Sequence, residues 1–232
     1  AQSLLSALLT VTIPRLAFLW GKQHVDEYNQ VLSKVIASLG ILVLPAAIGL
    51  IMLSREVVLI IASKKYLPSV NSLRIISWAI IFSIFAWIFS DCVLFPAKRE
   101  SLVLRNTIVT AIENIVLNFI LIPSMSYDGT SLSTVIAEFT VMVMNGYSCR
   151  DIIKPVVFKK DTLNNLLDSI IGCVGIVVVC LWCDYGFNSL ILKTIFSVVL
   201  SVIMYGAILI LLKNKNAYSM LDRAKMILKS KL

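Results

Sequence analysis

Two apolar runs in the middle of the chain, residues 102–122 and 129–148, are each long enough to cross a lipid bilayer, and a short turn containing proline and glycine joins them. A helix needs about 20 residues to cross the hydrocarbon core. Each run carries a glutamate near its middle, Glu113 and Glu138. In an antiparallel pair of helices that rise about 1.5 Å per residue, the two carboxylates would lie at nearly the same depth. An ionised side chain at that depth costs about 2.5–3.5 kcal/mol, so we predict that neither glutamate faces lipid.

Other polar side chains recur every three or four residues along both runs, which places them on one side of each predicted helix. They are Asn106, Thr110, Asn114 and Asn118 around Glu113, and Ser131, Thr134 and Asn145 around Glu138. A polar stripe on a membrane helix must face other helices or a water-filled cavity. The pattern therefore predicts a cavity between these helices. The alternative is that the polar groups, above all the asparagines and threonines, only join neighbouring helices by hydrogen bonds.

The chain as a whole has the composition of a membrane protein, with 59% hydrophobic residues and a mean hydropathy of +0.91. We predict an all-α, polytopic transmembrane bundle. A polar loop at residues 20–33 and a surface segment at 57–62, which is too short to span, separate some of the helices. The predicted spans are a partial one at residues 1–13 and six full ones at about 34–53, 73–95, 102–122, 129–148, 166–183 and 190–212. Because the chain begins within an apolar element, we expect it to be the C-terminal part of a larger transporter.

Basic residues are distributed unevenly between the two sides of this predicted bundle. Sixteen of the 21 lysines and arginines fall on the connections of one side, which includes the tail at residues 213–232. The positive-inside rule places that side, and the C-terminus, in the cytoplasm. The net charge of +8 thus reflects topology. We do not expect nucleic-acid binding, because the basic stretches lack interleaved aromatic residues and any nucleic-acid fold motif.

Single residues inside the spans add further expectations. Pro45, between Gly40 and Gly49, predicts a kink or local unwinding of the first full span. Asp91 lies on a predicted inward face of the second span. Gly172 and Gly175 favour a close approach between helices. The five cysteines are interpreted as small core residues. The single histidine, His24, has no second ligand nearby, so we expect neither a metal ion nor a cofactor.

The order of several motifs resembles that of polysaccharide exporters. These motifs are TVTIPRL at residues 10–16, LPAAIGL at 44–50, EVVLII at 56–61, NIVLNFILIP at 114–123 and DGTS at 128–131. Together they resemble the second half of a bacterial oligosaccharide-lipid flippase of the O-antigen type, within the multidrug/oligosaccharidyl-lipid/polysaccharide export superfamily. The resemblance covers residues 9–148, whereas from residue 166 onward only the number of spans agrees. One departure is Ser63, near which such proteins usually have a glycine.

The resemblance implies two six-helix lobes around a central cavity that opens alternately to each side. Residues 1–149 would then belong to the C-terminal transport lobe, 150–212 to two additional transmembrane helices and 213–232 to a basic cytoplasmic tail. The expected substrate is an undecaprenyl-diphosphate-linked oligosaccharide, such as an O-antigen unit for lipopolysaccharide, moved across the bacterial inner membrane. The expected cavity residues are Glu113, Asn114, Asn118, Glu138, Asp91, Arg105, Asn106, Thr110 and Thr134, and the expected hinge residues are Pro45 and Gly49.

Other functions remain open on the sequence alone. A cation-coupled drug antiporter of the same superfamily would also use an acidic cavity, and a membrane assembly subunit would not transport at all. We do not expect an enzyme, because the loops are short and carry no acidic metal motif. Without a nucleotide-binding motif, an ion or proton gradient or glycan processing on the far side would supply the energy. Expected partners are the lipid-linked oligosaccharide, membrane lipids, a preceding N-terminal lobe and the polysaccharide polymerase machinery.

Overall fold

The computed structural model describes residues 2–186, 189–214 and 216–218, and each regular element among them is helical, which confirms the predicted all-α bundle. A 3₁₀ turn, Lys64–Ser69, precedes the fourth α-helix, and a π-helical segment, Ile88–Leu94, follows it. The α-helices are α1 (Gln2–Gly21), α2 (Val25–Met52), α3 (Ser54–Ile61), α4 (Val70–Trp87), α5 (Glu100–Met125), α6 (Tyr127–Ser148), α7 (Arg150–Val157), α8 (Lys160–Gly186) and α9 (Leu190–Leu211).

Five helical segments of the described chain are long and apolar enough to cross a membrane: α2, Lys64–Leu94, α5, α8 and α9. Helix α6 has 22 residues, or about 33 Å of helix, but it is more polar and is not among them. It packs against both α4 and α5. That α6 is a sixth span therefore stays a prediction.

Contacts at its two ends show how α6 lies beside its neighbours. At its start, Ser72 of α4 donates a hydrogen bond to Asp128. At its end, Arg99, just before α5, donates to the carbonyl oxygen of Ser148 at 3.1 Å. Helix α6 therefore extends from the start of α4 to the end of the π-helical segment, parallel to α4 and antiparallel to α5.

The larger hydrophobic core lies between α1, α2, α4, the π-helical segment and α7. Tyr28 and Leu32 are fully buried in it, and the Tyr28 hydroxyl donates to the carbonyl oxygen of Cys92 at 2.8 Å. The Trp20 ring lies 5.0 Å from the Tyr28 ring. The predicted polar loop at residues 20–33 is thus wrong: only residues 22–24 connect α1 and α2. Burial of one face of the first turns of α2 outweighs the polar composition.

A second core joins α2 to the hairpin of α8 and α9. A Cβ atom at Gly172 would lie 2.6 Å from the Tyr205 ring, and one at Gly175 would lie 2.5 Å from Ile208, so the predicted close approach is confirmed. The Tyr205 hydroxyl donates to the carbonyl oxygen of Ile41 at 2.8 Å. All five cysteines are buried and free. Helix α2 thus contributes to both cores.

Two further expectations concern the connections. Helix α3 has eight residues, as its short apolar run predicted. Ser63, which follows it, has φ 82° and ψ 171°, a conformation that favours glycine. Helix α2 is continuous through Pro45, so local unwinding does not occur, whereas a bend at Pro45 stays a prediction. The predicted basic tail lies outside the described residues, apart from residues 213, 214 and 216–218.

Candidate functional site

Helix α5 is attached to the described bundle mainly through α6, and most of its circumference is open. In its most apolar 18-residue stretch only 6% of the residues are buried. The exposed side includes Ile108, Ile112 and Phe119. The polar stripe lies on the side that contacts α6, where its side chains are buried or half-buried. The α5–α6 seam is therefore the candidate site.

Glu113 lies in the middle of this seam. Thr140 of α6 donates a hydrogen bond from its Oγ1 to Glu113 Oε1 at 3.0 Å. The other carboxylate oxygen, Oε2, is buried and has no hydrogen-bond partner among the described residues. A buried polar atom without a partner costs about 1–3 kcal/mol. Glu113 Oε2 is therefore placed to accept a hydrogen bond from a further donor.

Glu138 is half-buried and forms no hydrogen bond or ion pair within the described part of the chain. Glu138 precedes Thr140 by two residues along α6. Because Thr140 is the residue of α6 that bonds to Glu113, Glu138 lies about 3 Å along the α6 axis from that contact. Helical positions two apart project to different sides. The structure thus gives the two glutamates similar levels without a shared contact.

A short polar line continues the seam towards the α5–α6 turn. Ser133 Oγ donates to Asn118 Oδ1 at 2.8 Å, and Asn118 Nδ2 donates to Asn114 Oδ1 at 2.9 Å. A cavity of about 380 Å³ opens beside Asn118 and is otherwise lined by Ile115, Phe119, Ile122 and Pro123. Ser133 was not among the expected site residues, although it lies seven residues before Thr140 and so shares its side of α6.

Towards the other end, the seam holds the helices together. Asn106 is fully buried, and its Nδ2 donates to Asn145 Oδ1 at 2.9 Å and to Ser148 Oγ at 3.1 Å. Thr110 and Thr134 donate to carbonyl oxygens of their own helices at 3.0 and 2.9 Å. For these residues, the geometry favours the interpretation that they join or stabilise helices.

The remaining expected residues lie away from the two carboxylates. Asp91 is half-buried in the π-helical segment and accepts a hydrogen bond from Ser90 at 2.7 Å. Arg105 is exposed and donates to Asn106 Oδ1 at 3.2 Å. Pro45 and Gly49 lie within α2, and a Cβ atom at Gly49 would meet nothing within 4 Å. The structure thus does not bring these residues together with Glu113.

Two ionic clusters at opposite ends of the bundle were not predicted. At one end Lys193 of α9 contacts Glu56 of α3, at 2.6 Å, and Asp184 of α8. At the other end Arg99 donates to both carboxylate oxygens of Asp151, at 2.8 and 2.6 Å. These hydrogen bonds lower the pKa of Asp151 and raise that of Arg99. Lys193 and Glu56, and likewise Arg99 and Asp151, are too far apart in the sequence for residue spacing to predict that they pair.

No group of three or more His, Cys, Asp and Glu side chains that could hold a metal ion occurs among the described residues. His24, for example, is exposed and lies 3.8 Å from Glu27 alone. The site therefore consists of polar and acidic side chains in the interior of a helical membrane bundle.

A bundle of bilayer-length helices with acidic groups in the middle of a polar seam has the organisation of a membrane transporter lobe. Residues 3–206 match the sequence model of the family described as lipid II flippase MurJ, and the chain belongs to this family. It is thus a membrane protein of a family of lipid-linked precursor flippases, which are transporters and not enzymes. No curated protein matches the chain significantly. The resemblance found in the sequence is confirmed for a lipid-linked flippase but not for the O-antigen type.

Proposed function

We propose that this chain forms the second lobe, with two additional helices, of a flippase that moves a polyprenyl-diphosphate-linked saccharide across the bacterial inner membrane by alternating access. The family description favours lipid II as the cargo. An oligosaccharide of the O-antigen type is the second candidate, which the motifs at residues 44–50 and 114–131 favour. The family match does not favour a drug antiporter or an assembly subunit.

The observation that carries the proposal is the buried, half-paired carboxylate of Glu113 in the middle of α5. A saccharide with a diphosphate cannot cross about 30 Å of hydrocarbon unaided. A flippase must therefore offer polar groups at mid-membrane depth, and such groups are stable there only beside a cavity or another helix. The open circumference of α5 leaves room for a second lobe beside it.

The chemistry of Glu113 allows two ways of coupling. Glu113 would accept a coupling proton at its unpaired Oε2 in one of the two facing states. It can also pair with a basic residue of the other lobe that binds the diphosphate. In the first case, proton entry would be coupled to the switch between the facing states. In the second case, Glu113 would hold the basic residue in place for the diphosphate of the cargo. Glu138, half-buried and unpaired within the described residues, is the second candidate for the same role.

The test replaces each glutamate by glutamine in the full-length protein. Glu113→Gln and Glu138→Gln keep shape and hydrogen bonding but remove the charge. We expect at least one to lower flipping at least tenfold at normal membrane abundance, measured as lipid II exposed at the outer leaflet in cells depleted of other flippases. The matched control is Glu100→Gln, an exposed glutamate at the start of α5. Full flipping by the double variant would refute a role of these carboxylates.

The same cells distinguish the two cargoes. If lipid II is the cargo, the wild-type protein restores its exposure and cell-wall synthesis. If an O-antigen unit is the cargo, surface glycan returns while lipid II stays inside. Restoration of neither would contradict the proposed function itself, provided that the protein is present in the membrane.

We also propose an orientation with six full spans, in which α6 crosses the membrane and the C-terminus is cytoplasmic. The hydrogen bonds at both ends of α6 support a full crossing. A reporter fused after Leu212 should then report cytoplasm, and one within residues 124–128 should report periplasm. Both reporters on one side would exclude this topology.

Pro45 is proposed as a hinge residue of α2. Proline removes one backbone hydrogen bond and clashes with the preceding turn, which bends a helix. Pro45→Ala should slow flipping more than it lowers protein level, and a fully active variant would show that the proline is only tolerated.

A further inference from the structure

A second open cavity, also of about 380 Å³, lies at the end of the bundle where α5 and α7 begin and α6 ends. Three arginines line it, together with one carboxylate, one aromatic ring, one hydroxyl group and one aliphatic side chain. These residues are Arg99, Arg105, Arg150, Asp151, Tyr147, Ser148 and Leu102. Three guanidinium groups against one carboxylate leave a net charge of about +2 around the cavity.

The one carboxylate of the cavity already has an ion-pair partner. Asp151 accepts two hydrogen bonds from Arg99, which also donates to the Ser148 carbonyl oxygen and so is fixed as part of the wall. Arg105 and Arg150 have no carboxylate within 4 Å in the described part of the chain. The positive charge of these two arginines is therefore unbalanced.

Both unbalanced arginines are held in place. The Arg150 guanidinium lies over the Tyr147 ring, 4.3 Å from its centroid, a contact that holds the group in place and leaves its N–H groups for another partner. Arg105 donates to Asn106 Oδ1, and Asn106 is itself fixed by Asn145 and Ser148. Pre-oriented guanidinium groups bind phosphate oxygens well, because their N–H groups match the spacing of those oxygens.

The surroundings of the cavity suit a lipid. Tyr147 is 65% exposed, and exposed aromatic rings are typical of the membrane–water boundary. Ile108, Ile112 and Phe119 follow Arg105 on the same side of α5 and are all exposed. This apolar row runs from the cavity towards mid-span, so a headgroup at Arg105 would have acyl chains beside it.

We propose that this cavity binds the phosphate of an anionic phospholipid headgroup, with Arg105 and Arg150 contacting the phosphate and the exposed apolar row of α5 contacting an acyl chain. Basic pockets between transmembrane helices are known sites for anionic headgroups. With the proposed topology, the lipid comes from the cytoplasmic leaflet. This site lies at the end of the α5–α6 seam, on the far side of Asn106 from Glu113, and does not depend on the cargo.

The test compares phosphatidylglycerol and phosphatidylcholine binding to the purified full chain by native mass spectrometry. Arg105→Gln/Arg150→Gln should weaken phosphatidylglycerol binding roughly thirtyfold, since each basic residue at an anionic surface contributes about a factor of five. The matched control, Lys64→Gln/Lys65→Gln, removes two exposed charges from the opposite end of the bundle and should change the affinity little. The charge-preserving pair Arg105→Lys/Arg150→Lys should bind with an affinity between those of the wild type and the glutamine pair, because lysine keeps the charge but not the paired N–H groups.

Three outcomes would overturn the proposal. One is unchanged phosphatidylglycerol binding by the double glutamine variant with normal helical content. Another is displacement of the lipid by inorganic phosphate at comparable concentration, which would make free phosphate the ligand. The last is loss of binding only for a polyprenyl-diphosphate saccharide, which would assign the cavity to the cargo. Flipping is not measured in this test, so its failure leaves the proposed function unaffected.

Discussion

Replacing Lys193 by methionine should strongly destabilise the fold, because Lys193 neutralises a buried carboxylate. Its Nζ lies 2.6 Å from Glu56 Oε1, and the Glu56 side chain is only 5% exposed. No other cation lies within 4 Å of Glu56 in the described residues. Methionine keeps the length and apolar stem of lysine but leaves Glu56 without a counter-charge.

The expected magnitude follows from the burial of the pair. Removing one partner of a buried ion pair costs about 3–5 kcal/mol, because the other charge remains in a poorly solvated place. Asp184 also contacts Lys193, but its side chain is 60% exposed. An exposed ion pair contributes about 0–1 kcal/mol, so Asp184→Asn should cost little. Lys193→Met removes the ammonium group and should be costly, whereas Asp184→Asn removes only one exposed partner of that group and should not.

The assay is a double-mutant cycle on the free energy of unfolding, measured by helical circular dichroism during SDS titration in mixed micelles. Glu56→Gln/Lys193→Met should recover most of the loss of Lys193→Met, because no buried charge remains. Asp184→Asn serves as the control for the exposed half of the cluster.

The reasoning would be refuted if Lys193→Met cost less than about 1 kcal/mol, the size of an exposed pair. It would also be refuted if the double variant were no more stable than Lys193→Met. Either result would mean that water or another group solvates Glu56 well enough to replace the ammonium.

Three smaller changes test the connections, each by the same unfolding titration. Ser63→Gly should stabilise by about 1 kcal/mol, because φ 82° and ψ 171° suit glycine; a loss would contradict the strain. Gly129→Ala should cost about 1–3 kcal/mol, because the new Cβ atom would lie 2.6 Å from the Leu121 carbonyl oxygen; no loss would mean that the α5–α6 turn adapts. Arg99 lowers the pKa of Asp151, so this carboxylate stabilises the fold above its ordinary pKa of about 4 and ceases to as the pH falls through its lowered value. Asp151→Asn should therefore be less stable than wild type at pH 7 and equal to it in strong acid, and a pH-independent difference would exclude the mechanism.

The helical bundle was predictable because hydropathy and helix length are local properties. The approach of α8 to α9 at Gly172 and Gly175 was predictable for the same reason, since small residues on one side of a membrane helix allow a neighbouring helix to pack closely. The polar side of α5 also followed from periodicity. Periodicity indicates which side of α5 is polar, and the hydrogen bonds to α6 are made on that side.

Other features depend on partners that are distant in the sequence. No local feature predicts the burial of Glu56, which depends on Lys193, 137 residues away. The sequence predicts that α2 begins later than it does, because Tyr28 is a polar residue. Its burial depends on a hydrogen bond from its hydroxyl to the carbonyl oxygen of the distant Cys92. The seam likewise separates into parts with different roles only once the partners of Asn106 and Glu113 are known.

The way in which the α8–α9 hairpin is fastened to α2 limits the degrees of freedom of the whole chain. Ser33 bonds to Thr162 near one end of α2, Tyr205 bonds to the Ile41 carbonyl oxygen further along α2, and Lys193 joins Glu56 of the following helix, α3, at the opposite end. Contacts at three separated levels resist tilting and sliding of the hairpin against α2 and α3. We therefore expect the hairpin to follow these two helices in any rearrangement of the bundle.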